Sequence, residues 1–235
     1  MWPYKKGGKD SSLALAALRA DSRFNVVGLM TSITRGYDRV SIHGVRRSLL
    51  EAQARSIGLP LFEVTLEAAS SNEAYEAAFR QGVDAFSSVH SDVRHMAFGD
   101  LFLADVRAYR EHQMAALGMM PVFPIWGRDT AKLAREFIAT GYEAHLVCVD
   151  THQLAAEFAG RAFDASLLHD MPATVDPCGE NGEYHTFVSR GPIFREAIDV
   201  DVGELVLRDQ RFAYRDLIPA ARQAEMSRQA APRAE

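Results

Sequence analysis

The sequence predicts an α/β protein, in which a parallel sheet wrapped by helices is followed by a smaller section of mixed α and β structure. Short apolar runs alternate with amphipathic stretches through the first half, the pattern made by parallel strands joined through crossover helices. A glycine pair, Gly7-Gly8, stands directly before a helical pattern. Beyond residue 129 the alternation gives way to shorter runs around a long loop at 176–185.

In chain order, residues 24–30, 61–66 and 93–98 read as strands, and residues 11–20 and 45–57 as helices between them. The second helix places Val45, Leu49, Leu50, Ala54 and Ile57 on one side and ends at Gly58 and Pro60. Residues 100–117 read as a further helix closed by Gly118, and residues 119–125 as a proline-punctuated strand or strand edge. A boundary at 126–129 divides the chain into domains of residues 1–127 and 128–221. The second holds a helix over 130–139, a strand over 144–149, a helix over 151–158 and alternating runs at 204–207 and 212–214. Residues 222–235, rich in alanine, glutamine and charge without a pattern, read as a frayed tail.

The 235 residues are 48% hydrophobic and 24% charged, which fits a globular chain with a sizeable core and excludes disorder, collagen and coiled coil. Net charge is −5 and the 26 basic residues are scattered, so nucleic acid is not an expected partner. No apolar run reaches the ~18 residues of a membrane span and no signal peptide is readable, so no membrane partner is expected and the cytoplasm is the expected address. Cys148 and Cys178 form no Cys-x-x-Cys pair, so both are expected as reduced thiols, Cys148 an inert one in an apolar run.

The run Lys6-Gly7-Gly8-Lys9-Asp10-Ser11-Ser12 puts the free amides and positive dipole end of a helix at one spot, where anions bind. Glycines let the chain bend tightly and a phosphate approach its amides. Ser11 or Ser12 would cap the helix or donate a hydroxyl to phosphate, and Lys9 would add a mobile cation. A Walker loop does not fit, because Asp10 separates Lys9 from Ser11 and Pro3 occupies the place of the first glycine. A plain capped Gly-Gly turn is the other reading of so short a stretch.

Gly7-Gly8-Lys9-Asp10-Ser11 resembles the PP-loop of the adenine-nucleotide alpha-hydrolase-like enzymes. Phe98-Gly99-Asp100-Leu101, Pro124-Ile125-Trp126 and above all Asp176-Pro177-Cys178-Gly179-Glu180-Asn181-Gly182-Glu183-Tyr184-His185-Thr186 resemble one branch of that superfamily, the diphthine-ammonia ligase family. The resemblance runs from Gly7 to about Phe194. It implies a Rossmann-like parallel sheet of PP-loop type with helices on both faces, binding ATP in residues 1–127, and a substrate-binding C-terminal domain in residues 128–221. It also implies an AMP-forming amide ligase: AMP is transferred to a carboxylate with release of diphosphate, and ammonia then displaces AMP. Magnesium would accompany the nucleotide without a protein cage, so no protein metal ligands are named. The carboxylate is either a small molecule or carried on a protein, and a homo-oligomer is left open.

Candidate nucleotide-binding residues are Lys6, Gly7, Gly8, Lys9, Asp10, Ser11 and His43; candidate catalytic residues are Asp100, Glu180, Glu183 and His185. Glu180, Glu183 and His185 sit between glycines in a loop suited to aim two carboxylates and an imidazole into a cleft. A solvated acidic turn is the plain alternative. Asp100, after an apolar run, is placed either at a ligand-binding strand end or as a helix N-cap. His43 resembles a family position near the nucleotide; by itself a lone loop histidine is usually only a solvated or capping residue. Trp126 is expected to wall the cleft or to lie in the core, and Cys178 to pack rather than act as a nucleophile. Lys6 and the proline in the first strand motivate a second reading, a nucleotide-binding sensor without turnover. A PP-loop enzyme acting on a different acid is a third. Sulfur insertion into tRNA is set aside, since it wants a sulfur-carrying cysteine and a basic surface.

Overall fold

The computed structural model describes residues 2–3, 7–36, 39–40, 43–67 and 71–220. Lys6 and residues 222–235 lie outside the described residues, and so do the expectations attached to them.

Parallel pairing dominates the first half. Strand β1 (Trp2–Pro3) runs parallel to β5 (His95–Ala97), which runs parallel to β6 (Met120–Val122). Strand β2 (Leu29–Thr34) runs parallel to β4 (Leu61–Leu66) and pairs antiparallel with the two-residue β3 (Arg39–Val40). β1 also lies beside β2, so the two three-stranded sheets meet at the first strand. The chain leaves β1 through helix α1 (Lys9–Ala20) to reach β2, and later comes back to β1 through β5. Where the strand order reverses in this way, the carboxyl ends of the strands leave a crevice.

The second half is a four-stranded antiparallel sheet. Its strands β7 (Glu143–Asp150), β8 (Tyr184–Arg190), β9 (Val200–Arg208) and β10 (Phe212–Pro219) lie in the order β8-β7-β10-β9. Of these neighbours β9 and β10 are joined by a short connection, residues 209–211, which makes them a hairpin that needs no crossover helix.

One buried cluster joins the halves. Leu13 and Leu15 of α1 share it with Leu133 and Phe137 of helix α5 (Thr130–Ala139) and with Leu146 of β7. Each such fully buried side chain contributes roughly 1.5–3 kcal/mol. A second cluster covers the other face of the parallel strands, where Phe79, Val83 and Phe86 of helix α3 (Asn72–Val89) pack on Met30, Val64 and Met96.

Several elements differ from the sequence expectation. The strand expected over 24–30 starts at Leu29, because pairing with β4 begins at Leu29 opposite Leu61. Helix α2 (Arg47–Ile57) ends at Gly58 as expected, the glycine amide bonding back to Ala54 and Arg55. The helix expected over 100–117 is α4 (Ala104–Ala116), with Leu103 rather than Asp100 at its N-cap. No α-helix forms over 151–158. The Asp150 carboxylate accepts from the His152 amide and from Gln153 Nε2, each at 3.1 Å, and is gripped by Arg211 at 2.6 and 2.9 Å. Such side-chain bonding turns the chain, and only Ala156–Phe158 winds into a short 3-10 helix. Helix α3 was not anticipated. Ser71 caps it by accepting from the Ala74 amide at 3.2 Å, and its apolar residues recur at helical spacing. The six-residue helix α6 (Ala165–Asp170), capped by Asp164, was likewise not anticipated. Among the described residues no helix is long and apolar enough to cross a membrane.

Candidate functional site

The turn between β1 and α1 is fixed by its own glycines. Gly7 has φ +80°, and a Cβ there would stand 2.8 Å from Leu50 Cδ2, so a side chain is excluded on both counts. The Gly7 carbonyl accepts from Gln53 Nε2 of α2 and from the Val188 amide of β8, both at 3.0 Å. Gly8 is the N-cap of α1, with no side-chain cap; Ser12 Oγ instead donates to the Gly8 carbonyl at 3.1 Å. The serine-capping expectation is thus corrected.

Lys9 corrects another. It is not a mobile cation: the side chain is 2% exposed, with Nζ donating to Asp10 at 2.7 and 2.9 Å and to the Cys178 carbonyl. Its amide is also engaged, donating to Thr186 Oγ1 at 3.0 Å. Burial works against the charge on Lys9, but Asp10, with Cys178 and Glu180 adding to it, outweighs burial and the pKa is raised. Asp10 is also pushed up, burial exceeding the help it gets from Lys9. This pair ties the helix start to the loop that carries the distant acidic motif.

That loop is built on Asp176. Its Oδ1 accepts from the amides of Cys178 at 2.8 Å and Glu180 at 3.3 Å, an Asx-type turn. The Tyr184 hydroxyl donates to the Pro177 carbonyl at 2.7 Å. Glu180 is thereby held where its Oε1 accepts from the Leu101 amide at 2.6 Å, just past β5. Burial, with the charges of Asp10 and Asp100 adding to it, pushes the Glu180 carboxyl up to about 7 against the Leu101 amide and the Lys9 ammonium, which oppose the shift.

A cavity of about 240 Å³ draws its lining from both halves of the chain. Gly8, Lys9, Asp10 and Ser11 line it from one side, with Asp100 after β5 and His43 after β3. Glu180 and His185 line it from the far half. The His43 and His185 rings face each other with centroids 4.1 Å apart and planes at 32°. The cavity is therefore walled by three carboxylates, two imidazoles and a helix N-terminus, a mixture able to hold an anion and to move protons.

The remaining expected residues lie elsewhere. Gly7 underlies the turn rather than facing the cavity. Glu183 is 1% exposed and turned inward, its Oε1 accepting from the Asp176 amide at 2.9 Å and from Asn181 Nδ2 at 3.0 Å. It shapes the loop and is absent from the cavity wall. Cys178 is buried, burial pushes its thiol up to about 12, and Sγ donates to the Thr130 carbonyl at 3.3 Å. A thiol so placed packs rather than reacts. Trp126 is half-buried, edge-on to Phe123 and under the Arg107 guanidinium, away from the cavity.

Sequence reasoning missed Arg110, Thr186 and Asp176. Arg110 reaches the cavity from α4, its guanidinium 5.0 Å from the centre of the Phe98 ring and Nε 3.8 Å from Asp100. Nothing in its neighbours marks it; only the packing of α4 against β6, which lays Arg110 on the Phe98 ring, brings it there. Asp176 had a readable signal, since Asp-Pro followed by Gly marks a turn.

Two family models match the chain, one described as diphthamide synthase N-terminal domain over residues 4–121, the other as diphthamide synthase C-terminal domain over residues 129–215. The chain is 29% identical over 175 residues to the diphthine–ammonia ligase of Danio rerio, covering 68% of each. Identity to the Homo sapiens protein of that name is 26% over 228 residues, covering 86% of this chain and 82% of the relative. Against the Schizosaccharomyces pombe protein of that name it is 23% over 182 residues, 72% of this chain but 30% of the relative.

Proposed function

The chain belongs to the diphthamide synthase family, and from that premise we propose that it is an ATP-dependent amide ligase acting on the carboxylate of diphthine, with ammonia as nitrogen donor and AMP and diphosphate as products. The observation that carries the reading is the single cavity lined both by Gly8, Lys9, Asp10 and Ser11 and by Glu180 and His185. A nucleotide needs the first group and an acyl acceptor the second.

The parallel half serves as a Rossmann-like, PP-loop ATP-binding domain over residues 1–127, and residues 128–221 close the acceptor side. The substrate carboxylate attacks the alpha-phosphorus of ATP, diphosphate leaves, and ammonia then displaces AMP from the acyl carbon. The amides of Asp10 and Ser11, at the first turn of α1, face the phosphates, since first-turn amides have no partner within the helix. Arg110 supplies a fixed positive charge on the cavity wall, and the two histidines supply groups able to pass protons. Glu180, poised near neutrality, accepts a proton from the incoming amine. Burial, helped by the charges of Asp10 and Asp100, keeps it poised there.

Magnesium fits this donor set only in company. Among the described residues no three histidine, cysteine or acidic side chains gather as a cage, while Asp100 and Glu180 offer hard oxygens on the cavity wall. The ion would take its remaining ligands from phosphate and water, and would neutralise the departing diphosphate. A cavity of about 240 Å³ is also smaller than the ~300–1,000 Å³ of typical ligand pockets, so a nucleotide extends through its open side. The proposed setting is the cytoplasm.

The test is to incubate the full chain with ATP, magnesium, ammonium and a diphthine-bearing protein and to measure AMP. AMP and diphosphate in equal amounts, dependent on the acid, are expected. ATP consumption that yields ADP, or none at all, overturns the reading.

A further inference from the structure

Thr186 stands where the two halves of the chain meet at the start of α1. It belongs to β8, is 3% exposed, and forms part of the cavity wall. The N-cap of α1 is Gly8, which has no side chain to offer the first amides of the helix. Thr186 takes over that task from across the fold, its Oγ1 accepting from the Lys9 amide at 3.0 Å. Gly8 is what admits it: a Cβ there would stand 3.2 Å from the Thr186 carbonyl oxygen and 3.3 Å from Oγ1.

A hydroxyl can accept and donate at once. The bond from Lys9 fixes Oγ1 but leaves the hydroxyl proton, and among the described residues no protein group accepts it. The acidic groups of the cavity are turned to other donors, Asp10 to Lys9 Nζ and Glu180 Oε1 to the Leu101 amide. A buried donor without an acceptor is costly, and the space that remains beside Thr186 is the cavity. Its first-turn amides and Arg110 favour an anion there.

We propose that Thr186 is a phosphate-binding residue of the nucleotide site, its hydroxyl donating to a non-bridging oxygen of ATP. The chain of bonds runs from the Lys9 amide to Oγ1 and from the hydroxyl proton to phosphate, each bond polarising the next. The C-terminal half thereby touches the nucleotide as well as the acceptor. This role rests on the nucleotide part of the ligase reading and is indifferent to which acid is amidated.

Calorimetric titration of the full chain with magnesium tests it, comparing ATP with ATP that carries one sulfur in place of a non-bridging oxygen on the alpha-, beta- or gamma-phosphate. Sulfur accepts a hydrogen bond poorly, so one of these analogues is expected to bind the wild type about 10-fold more weakly than ATP. In Thr186→Val, ATP itself is expected to bind about 10-fold more weakly and that sulfur penalty to disappear. Thr186→Ser keeps the wild-type pattern, and Thr186→Ala gives the same readings as the valine variant if the latter does not fold. A residue that only caps Lys9 would leave the sulfur penalty in place when removed, and that result overturns the proposal; so does a Thr186→Val affinity equal to wild type. A wild type that binds no ATP overturns it together with the nucleotide site. The expected pattern without AMP formation overturns the ligase reading alone.

Discussion

His43 and His185 come from opposite halves of the chain, yet their imidazole rings lie 4.1 Å apart on one cavity wall. His185 is on the first turn-side residues of β8, whereas His43 follows the short β3. On the proposed reading both serve the reacting groups. His185→Ala is therefore expected to lower AMP formation about 100-fold, in line with the loss of a proton-transfer group. Unfolding in urea should change little. Full turnover by His185→Ala would remove the histidine from the mechanism.

Asp216 of β10 holds the segment that carries His43. It accepts from Arg39 at 2.9 Å and from Arg46 at 2.5 and 3.1 Å. Burial alone would raise its pKa, but the two guanidinium groups outweigh burial and depress it. A carboxylate with a depressed folded pKa stabilises above its unfolded value and loses that contribution as pH falls through the folded one. Asp216→Asn should accordingly be less stable than wild type by about 1–2 kcal/mol at pH 7. The gap should close as pH drops below about 4. Urea melts across pH decide it, and a gap unchanged down to pH 2 would count against the ion pairs.

Glu180 carries the opposite sign. Its folded pKa, about 7, lies above the ordinary carboxyl value of 4.5, so the unfolded chain ionises first. Stability is unaffected by this group below about 4.5, falls as pH rises towards 7, and stays reduced above that. Glu180→Gln should then be more stable than wild type at pH 8 by about 1–2 kcal/mol after solvent screening, with little difference at pH 4. It should also lose ligase activity. Equal melting of both proteins at pH 8 would refute the buried-acid account.

Gly99 touches the start of α1 through backbone alone. A Cβ there would lie 2.9 Å from the Asp10 carbonyl carbon and 3.0 Å from the Ser11 nitrogen. Backbone cannot swing aside as a side-chain tip can, so Gly99→Ala should cost about 1–3 kcal/mol. It should also weaken ATP binding by displacing the turn. Calorimetric titration with ATP and thermal melting read the two effects, and a variant unaltered in both would show that the contact is looser than described.

The alternation of apolar and amphipathic runs made the α/β class legible, and the glycine turn was legible because its residues are contiguous. Helix α3 was readable in hindsight from Ser71 and the Phe79, Val83, Phe86 spacing. The site was less legible than its motifs. Lys9 reads as a free phosphate ligand until the fold brings the Cys178 carbonyl and Asp10 around its ammonium. Glu183 reads as a twin of Glu180, but they face opposite ways because Gly182 and Asp176 turn the loop between strands. Local spacing reports which residues are near in the chain. It cannot report that Arg110 lies over the Phe98 ring just past β5, which follows from how one helix packs.

The Gly7 carbonyl is held by Gln53 and by the Val188 amide, the latter supplied late in the chain. During synthesis the earliest residues leave the ribosome first but lack that donor until β8 has also emerged. On the proposed reading, the nascent protein acquires its nucleotide only after β8 has emerged, however early its glycine turn is made.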